Sequence, residues 1–224
     1  MSFDLTHLPR RFSDLVIADP NSAAIIQNYV EGPPAKPLLL AGVPGAGKTE
    51  AARVIAASYF TKRNATPYQW EYNGASITKT LEQVFMSEAN VQKQSMTVSD
   101  KALILINEID EMDLRAVQPL FREFMDQKRH LFHFVATTNY KNRMMGALLS
   151  RFRVVDLTLP KNLDWVPRVM AILAAEGLTP TRGDVEQMLV NFNGTARDLI
   201  DLVEEVVITS QRSQQAVAAQ GAGR

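Results

Sequence analysis

Residues 36–49 read KPLLLAGVPGAGKT. Leu38–Ala41 is a short apolar run of the kind that makes a strand buried on both faces. It passes directly into Gly42-Val43-Pro44-Gly45-Ala46-Gly47-Lys48-Thr49, which fits G-x-x-x-x-G-K-[ST]. A helical stretch, EAARVIAASYF, follows at residues 50–60. Glycines at these positions let the backbone curl until successive N–H groups point at phosphate oxygens. The helix adds the positive end of its dipole. Lys48 then reaches the terminal phosphates, and the Thr49 hydroxyl is placed for a divalent cation. The plainer reading is a glycine-rich turn with an incidental lysine, but a strand before and a helix after supply the context that the phosphate loop requires. Gly42, Pro44, Gly45, Ala46, Gly47, Lys48, Thr49 and Glu50 are therefore the candidate nucleotide-binding residues.

Further strands are expected at YQWEY (residues 68–72), ALILI (102–106), HLFHFVATTN (130–139) and RVVDLTL (153–159). Between them, 3–4 spacing marks helices through Ile77, Leu81, Val84 and Phe85, and through Leu114, Val117, Leu120, Phe121, Phe124 and Met125. Residues 1–19 read as irregular, Asn21–Tyr29 as a short helix, and Asn90–Lys101 as a polar loop. Strands alternating with helices imply an α/β fold with a parallel sheet covered on both faces. Beyond Pro160 only helices are legible: one capped by Asp164, with Pro167 in its first turn and Gly177 past its end; one over roughly Gly183–Phe192; and one capped by Thr195. The expected organisation is a nucleotide-binding α/β domain over residues 1–160, a helical lid over 161–210 and a flexible tail or helical extension over 211–224.

Of the 224 residues, 46% are hydrophobic, which is enough for a sizeable core, and 24 Lys+Arg balance 24 Asp+Glu. No strongly basic nucleic-acid binder is announced by that balance. With no cysteine, disulfides, thiol catalysis and cysteine-ligated metals are excluded. His7, His130 and His133 do not have zinc-ligand spacing. No apolar run reaches the length of a membrane span and no signal-peptide pattern opens the chain, so a soluble cytoplasmic protein is expected.

The third strand runs into acid, ILINEIDE, residues 104–111. Nucleotide hydrolysis on a phosphate loop needs a group beside the metal shell and a group that orients water. Where the usual pattern has Asp then Glu, this chain has Asn107 then Glu108. Asn107 can accept a hydrogen bond from a metal-bound water but brings no charge, leaving the site one negative charge short near the metal. Slow or partner-dependent hydrolysis and nucleotide binding as a structural switch both remain open. Asp110 and Glu111 lie past the strand end and read as a solvated loop or a partner contact.

Taken in order, these residues resemble the AAA+ superfamily, and within it the clamp-loader clade of replication factor C small subunits and their phage relatives. The resemblance covers about residues 9–207 and implies a five-stranded parallel P-loop sheet domain with a small C-terminal helical lid, the nucleotide lying between them. RRFSDLVIADPN (10–21) resembles the stretch that packs on adenine, with Val16 and Ile17 as apolar contacts. GVPGAGKT resembles Walker A, LINEIDEM Walker B, and WEYNGASIT the second-strand motif. ATTNY puts Asn139 at sensor 1. ALLSRFRVV makes Arg151 the arginine finger, with Arg153 as fallback, and NGTARDLID makes Arg197 the sensor 2 arginine. Asn139 as a turn former and Arg151 as a surface ion-pair partner are the structural alternatives.

What the resemblance implies is ATP with Mg²⁺, the metal held by Thr49 and Asn107, and catalysis by Glu108, Asn139, Arg151 and Arg197 at subunit boundaries of a homo-oligomeric ring or spiral. The clade's collar domain is not legible after the lid helices, so the ATPase module is implied more strongly than clamp loading. Three functions stand open: a DNA-replication ATPase, clamp-loader-like or helicase-loader-like and of cellular or phage origin, with DNA and a sliding clamp or helicase as partners; a protein-remodelling ATPase; and an ATP-binding regulator with little turnover. Lys93, Lys101 and Arg115 are the candidate DNA contacts.

Overall fold

The computed structural model describes residues 2–32, 36–65, 70–97 and 100–221, with side chains through residue 213. In chain order the elements are α1 (Phe3–Thr6), α2 (Pro20–Glu31), β1 (Leu38–Gly42), α3 (Lys48–Thr61), β2 (Glu71–Asn73), α4 (Leu81–Lys93), β3 (Ala102–Asn107), α5 (Gln118–Lys128), β4 (Phe132–Thr138), α6 (Gly146–Leu149), β5 (Arg153–Leu157), α7 (Val166–Ala175), α8 (Arg182–Leu189) and α9 (Ala196–Gly221), with 3-10 turns between some of them. Two compact units result: residues 9–158, and residues 1–8 together with 159–224.

The larger unit is built on a five-stranded, all-parallel sheet in the order β2-β3-β4-β1-β5. Its inner strands β1 and β3 read as nearly unbroken apolar runs because both faces are covered. Alternate residues divide between two cores. Leu39, Ile104, Ile106 and Phe134 face Phe85 of α4 and Phe121 and Phe124 of α5. Leu38, Leu40, Leu103, Leu105 and Val135 face Ala51, Ile55 and Tyr59 of α3 and Ile26 of α2. The first core is rich in edge-to-face phenylalanines, Phe121 and Phe134 having centroids 5.1 Å apart. β2 is too short to pair the start of β3, and Gln92 takes its place. Its fully buried amide accepts from Leu103 N–H at 2.9 Å and donates to Leu103 C=O at 3.0 Å.

Several expected boundaries shift. The supposed polar loop begins only after Lys93, because Gln92 belongs to the packed face of α4. Residues 68–69 of the expected second strand and 98–99 of that loop lie outside the described residues. Leu114 and Leu120 are exposed rather than buried. The Asp113 carboxylate accepts from the N–H groups of Arg115 and Ala116, which makes a turn there and delays α5 to Gln118. Leu120 then falls off the Val117–Phe121–Phe124 stripe.

The smaller unit packs α7, α8 and α9 on Trp165, Val169, Ile172, Leu173, Val185, Leu189, Leu199 and Val203. Gly177, at φ 79°, terminates α7 in the left-handed region. Thr181 and Thr195 each exchange hydrogen bonds with an aspartate three residues on, Asp184 and Asp198, at the heads of α8 and α9. Asp164 does not cap α7: its carboxylate accepts from Lys161 N–H at 2.7 Å and closes the 3-10 turn Asn162–Trp165 instead. The amino-terminal residues, expected to be irregular, form α1 against α9, with His7 Nε2 2.7 Å from Glu176 Oε1. From residue 211, α9 continues as far as Gly221.

Candidate functional site

The phosphate loop leaves the C-terminal end of β1. Gly42 has φ 154°, and a Cβ there would stand 2.2 Å from the Leu157 carbonyl oxygen of β5. Gly45 and Gly47 take φ 83° and 77°. Gly47 heads α3 with no side chain capping it, so the first N–H groups of the helix are left for another acceptor. Ala46 is buried in the core beneath the loop, while Pro44 is exposed. Lys48 is 7% exposed, and its ammonium donates to the carbonyls of Gly42 (2.9 Å) and Val43 (2.7 Å). Burial lowers its pKa, while the charges of Asp110 and Glu108 act in the opposite direction. Thr49 follows on the first turn of α3. Glu50 is turned away to Arg53, 2.8 Å distant.

At the end of β3, Glu108 holds a left-handed conformation, φ 53° and ψ 50°. Its N–H donates to Thr137 Oγ1 at 3.1 Å, and its carboxylate accepts from Asn73 Nδ2 at 2.9 Å. Asn73 is fixed in turn by accepting from Ala75 N–H. Gly74 lies so close beneath that an added Cβ would be 2.1 Å from the Glu108 carbonyl oxygen. Asn107 donates from Nδ2 to Glu71 Oε1 at 2.6 Å and accepts from Thr137 Oγ1 at 3.3 Å. The neutral residue at this position therefore has a carboxylate directly against it, from the neighbouring strand. Asp110 is not solvated: it is 6% exposed, and its buried Oδ1 has no hydrogen-bond partner among the described residues. Glu111 is exposed and pairs with Arg143 at 3.3 Å.

Strand register brings Asn139 to this edge as well. Ala41 pairs with Thr138, so Asn139 follows alongside Gly42. Ile17 packs against the α3-side core, and Val16 is half-buried beside it. Arg197, exposed in the first turn of α9, belongs to the smaller unit. Sequence patterns gave no sign of Glu71, Arg53 or Asn73 as partners in this network, since each contact crosses between elements.

Arg151 sits elsewhere. It precedes β5, and β1 and β5 run parallel with Leu38 opposite Arg153 and Gly42 opposite Leu157. Four residue steps of strand, roughly 13 Å, separate the two ends. The Arg151 guanidinium points to Asp126 near the C-terminus of α5, with contacts of 2.8 and 3.1 Å, and donates to Ala147 C=O at 2.8 Å. Arg153, the fallback, is on β5 itself.

These residues fit a polyphosphate with a divalent cation. The glycine curl, the uncapped helix start and the Lys48 ammonium suit phosphate oxygens. The Thr49 hydroxyl, the Asn107 carbonyl oxygen and the unpartnered Asp110 Oδ1 suit a hydrated hard cation. Among the described residues no cluster of three or more His, Asp or Glu could hold a metal unaided, so phosphate oxygens would have to complete the shell. Nor, among the described residues, is any helix long and apolar enough to cross a membrane.

Comparison with known proteins agrees with this chemistry. The family described as "ATPase family associated with various cellular activities (AAA)" matches residues 38–158. The chain is similar to a replication factor C small subunit of Methanococcus maripaludis, 24% identical over 190 residues, covering 83% of this chain and 58% of that protein. It is also similar to replication factor C small subunit 1 of Pyrobaculum arsenaticum, 25% identical over 208 residues, covering 91% and 61%. The chain thus spans about 60% of the length of these relatives. In fold it resembles the Thermotoga maritima RuvB Holliday junction branch migration motor (TM-score 0.67, 19% identity, 97% of this chain and 68% of that one). It likewise resembles domain III of the Thermotoga maritima replication initiation protein DnaA (TM-score 0.63, 17% identity, 92% and 90%).

Proposed function

The chain belongs to the AAA family of ATPases and resembles its clamp-loader clade, and on that premise we propose that it binds and hydrolyses ATP with Mg²⁺ at the subunit boundaries of a homo-oligomer acting in DNA replication. Lys48 and the N–H groups of residues 45–49 hold the phosphates. Val16 and Ile17 pack on the base. Thr49 and Asn107 hold Mg²⁺, which neutralises phosphate charge when bound. Glu108, steered by Asn73, orients water, and Asn139 contacts it or the terminal phosphate. Arg197 carries the state of the phosphate to the helical unit.

The observation that carries the subunit-boundary part is the place of Arg151. Its guanidinium is paired at the far edge of the sheet from Lys48, beyond reach of its own phosphate loop. A cation there serves a neighbour's nucleotide or none. The neutral Asn107 favours a second reading, an ATP-dependent regulator with little turnover.

Of the basic side chains considered for DNA, Arg115 is exposed on the turn before α5, while Lys101 donates to Arg129 C=O. Net charge is zero, so DNA binding rests on repeating such groups through assembly and should weaken steeply with salt. The test is ATP turnover with and without primed, single-stranded and duplex DNA. Stimulation by DNA is expected. Turnover indifferent to all three sinks the replication assignment and favours protein remodelling, and no turnover under any condition favours the regulator.

A further inference from the structure

A side-chain amide has a donor end and an acceptor end, and asparagine by itself does not dictate which end faces a given neighbour. At Asn107 that choice matters, because only Oδ1 can accept from a metal-bound water; the NH₂ group would repel it. The carboxylate of Glu71 takes acceptor contacts only. It receives Asn107 Nδ2 at 2.6 Å while Arg53 holds it with Nε at 3.1–3.2 Å and Nη2 at 2.7 Å. Arg53 does not need Glu71 for a counter-charge, since Glu50 already pairs with it at 2.8 Å. Thr137 Oγ1, at 3.3 Å, is a long contact on Oδ1 and leaves that oxygen able to accept again.

We propose that Glu71 is a positioning residue of the metal shell: by taking the NH₂ group of Asn107 it fixes the carbonyl oxygen toward the metal's water, so that a neutral residue can serve there. This rests on the ATP–Mg²⁺ function proposed above. What Glu71 supplies is orientation, so an acceptor without charge suffices in its place.

The test is calorimetric titration of the protein with a non-hydrolysable ATP analogue, once with Mg²⁺ and once with EDTA, read as the dissociation constant in EDTA divided by that in Mg²⁺. Glu71→Ala should lower that ratio about tenfold, the worth of one hydrogen bond to a charged centre, with affinity in EDTA unchanged. Glu71→Gln keeps an acceptor and should retain most of the ratio, and Arg53→Gln should leave it near the wild-type value. An unchanged ratio in Glu71→Ala overturns the proposal, as does Glu71→Gln falling as far as Glu71→Ala. A wild-type ratio of one, with the analogue bound, overturns it too but leaves nucleotide binding standing. No binding by the wild type in either solution would instead defeat the ATP assignment itself. In ¹⁵N-labelled wild-type protein, independent of any Glu71 variant folding, one Asn107 amide proton should lie downfield and stay there when the Mg²⁺-analogue is added. Its move to the position of an exposed amide would contradict the proposal.

Discussion

The two edges of the sheet are built differently. At the C-terminal edge the backbone does most of the shaping: Gly42, Gly45, Gly47 and Glu108 all have positive φ, and glycine is required where β1 meets β5 and where Gly74 underlies Glu108. Its lysine is buried, and its Asp110 oxygen has no partner among the described residues. At the N-terminal edge the work is done by side-chain ion pairs. Arg151 is forked onto Asp126, and Arg63 pairs with Asp100 at 3.0 Å while lying 3.7 Å over the Tyr59 ring. One edge is shaped for an anion and the other carries cations that are already partnered. Because strand length separates them, the two can act together only when one copy's N-terminal edge meets another's C-terminal edge.

The largest expected effects separate the edges cleanly. Arg151→Ala should cut turnover on the order of 10³-fold while leaving nucleotide affinity unchanged in a binding titration. Lys48→Ala should do the reverse in binding, weakening affinity about ten- to a hundredfold through loss of a charge-assisted contact. Equal losses of affinity in both variants would erase the distinction. Gly74→Ala comes next: the added methyl must displace the Glu108 carbonyl, costing about 1–3 kcal/mol in urea unfolding and slowing turnover more than it weakens binding.

How much of this was legible in sequence follows the same division. The phosphate loop is contiguous, and a strand, three glycines, a lysine and a helix announce themselves within a dozen residues. The parallel sheet was nearly as plain, because its inner strands β1 and β3 are covered on both faces and read as apolar runs. The neighbourhood of Asn107 and Glu108 was not. Glu71 and Asn73 reach them only through the register of β2 on β3, and a three-residue strand carries no periodicity to set that register. Asp110 looked solvated because acid after a strand usually is; its burial depends on how the 3-10 turn Ile109–Glu111 packs against β4 and the turn at Gly74–Ser76. Asp126, 25 residues before Arg151, becomes its partner only once α5 and α6 have packed on one face.

The last effect, on stability alone, belongs to the N-terminal edge. His133, on β4, is half-buried beside Tyr59. Burial first, then the charges of Lys101 and Arg63, push its pKa down from 6.5 to about 4. The unfolded chain therefore takes up this proton at a higher pH than the folded one. Its contribution to stability is intact above about pH 6.5 and is lost as pH falls toward about 4, by up to about 1.4 kcal/mol per pH unit. In His133→Gln the urea midpoint should fall less over that range than in the wild type. Parallel curves would show that this edge does not hold the histidine neutral.

In the proposed oligomer, Arg151 of one subunit completes the nucleotide site of another. Mixing Arg151→Ala protein with Lys48→Ala protein tests it most directly, because each lacks what the other retains. Neither should turn over ATP alone, and the mixture should recover activity, rising to a maximum at intermediate ratios, since some boundaries then pair an intact loop with an intact arginine. No recovery at any ratio, with mixed oligomers demonstrated by mass measurement, would rule out action across a boundary and return Arg151 to a structural partner of Asp126.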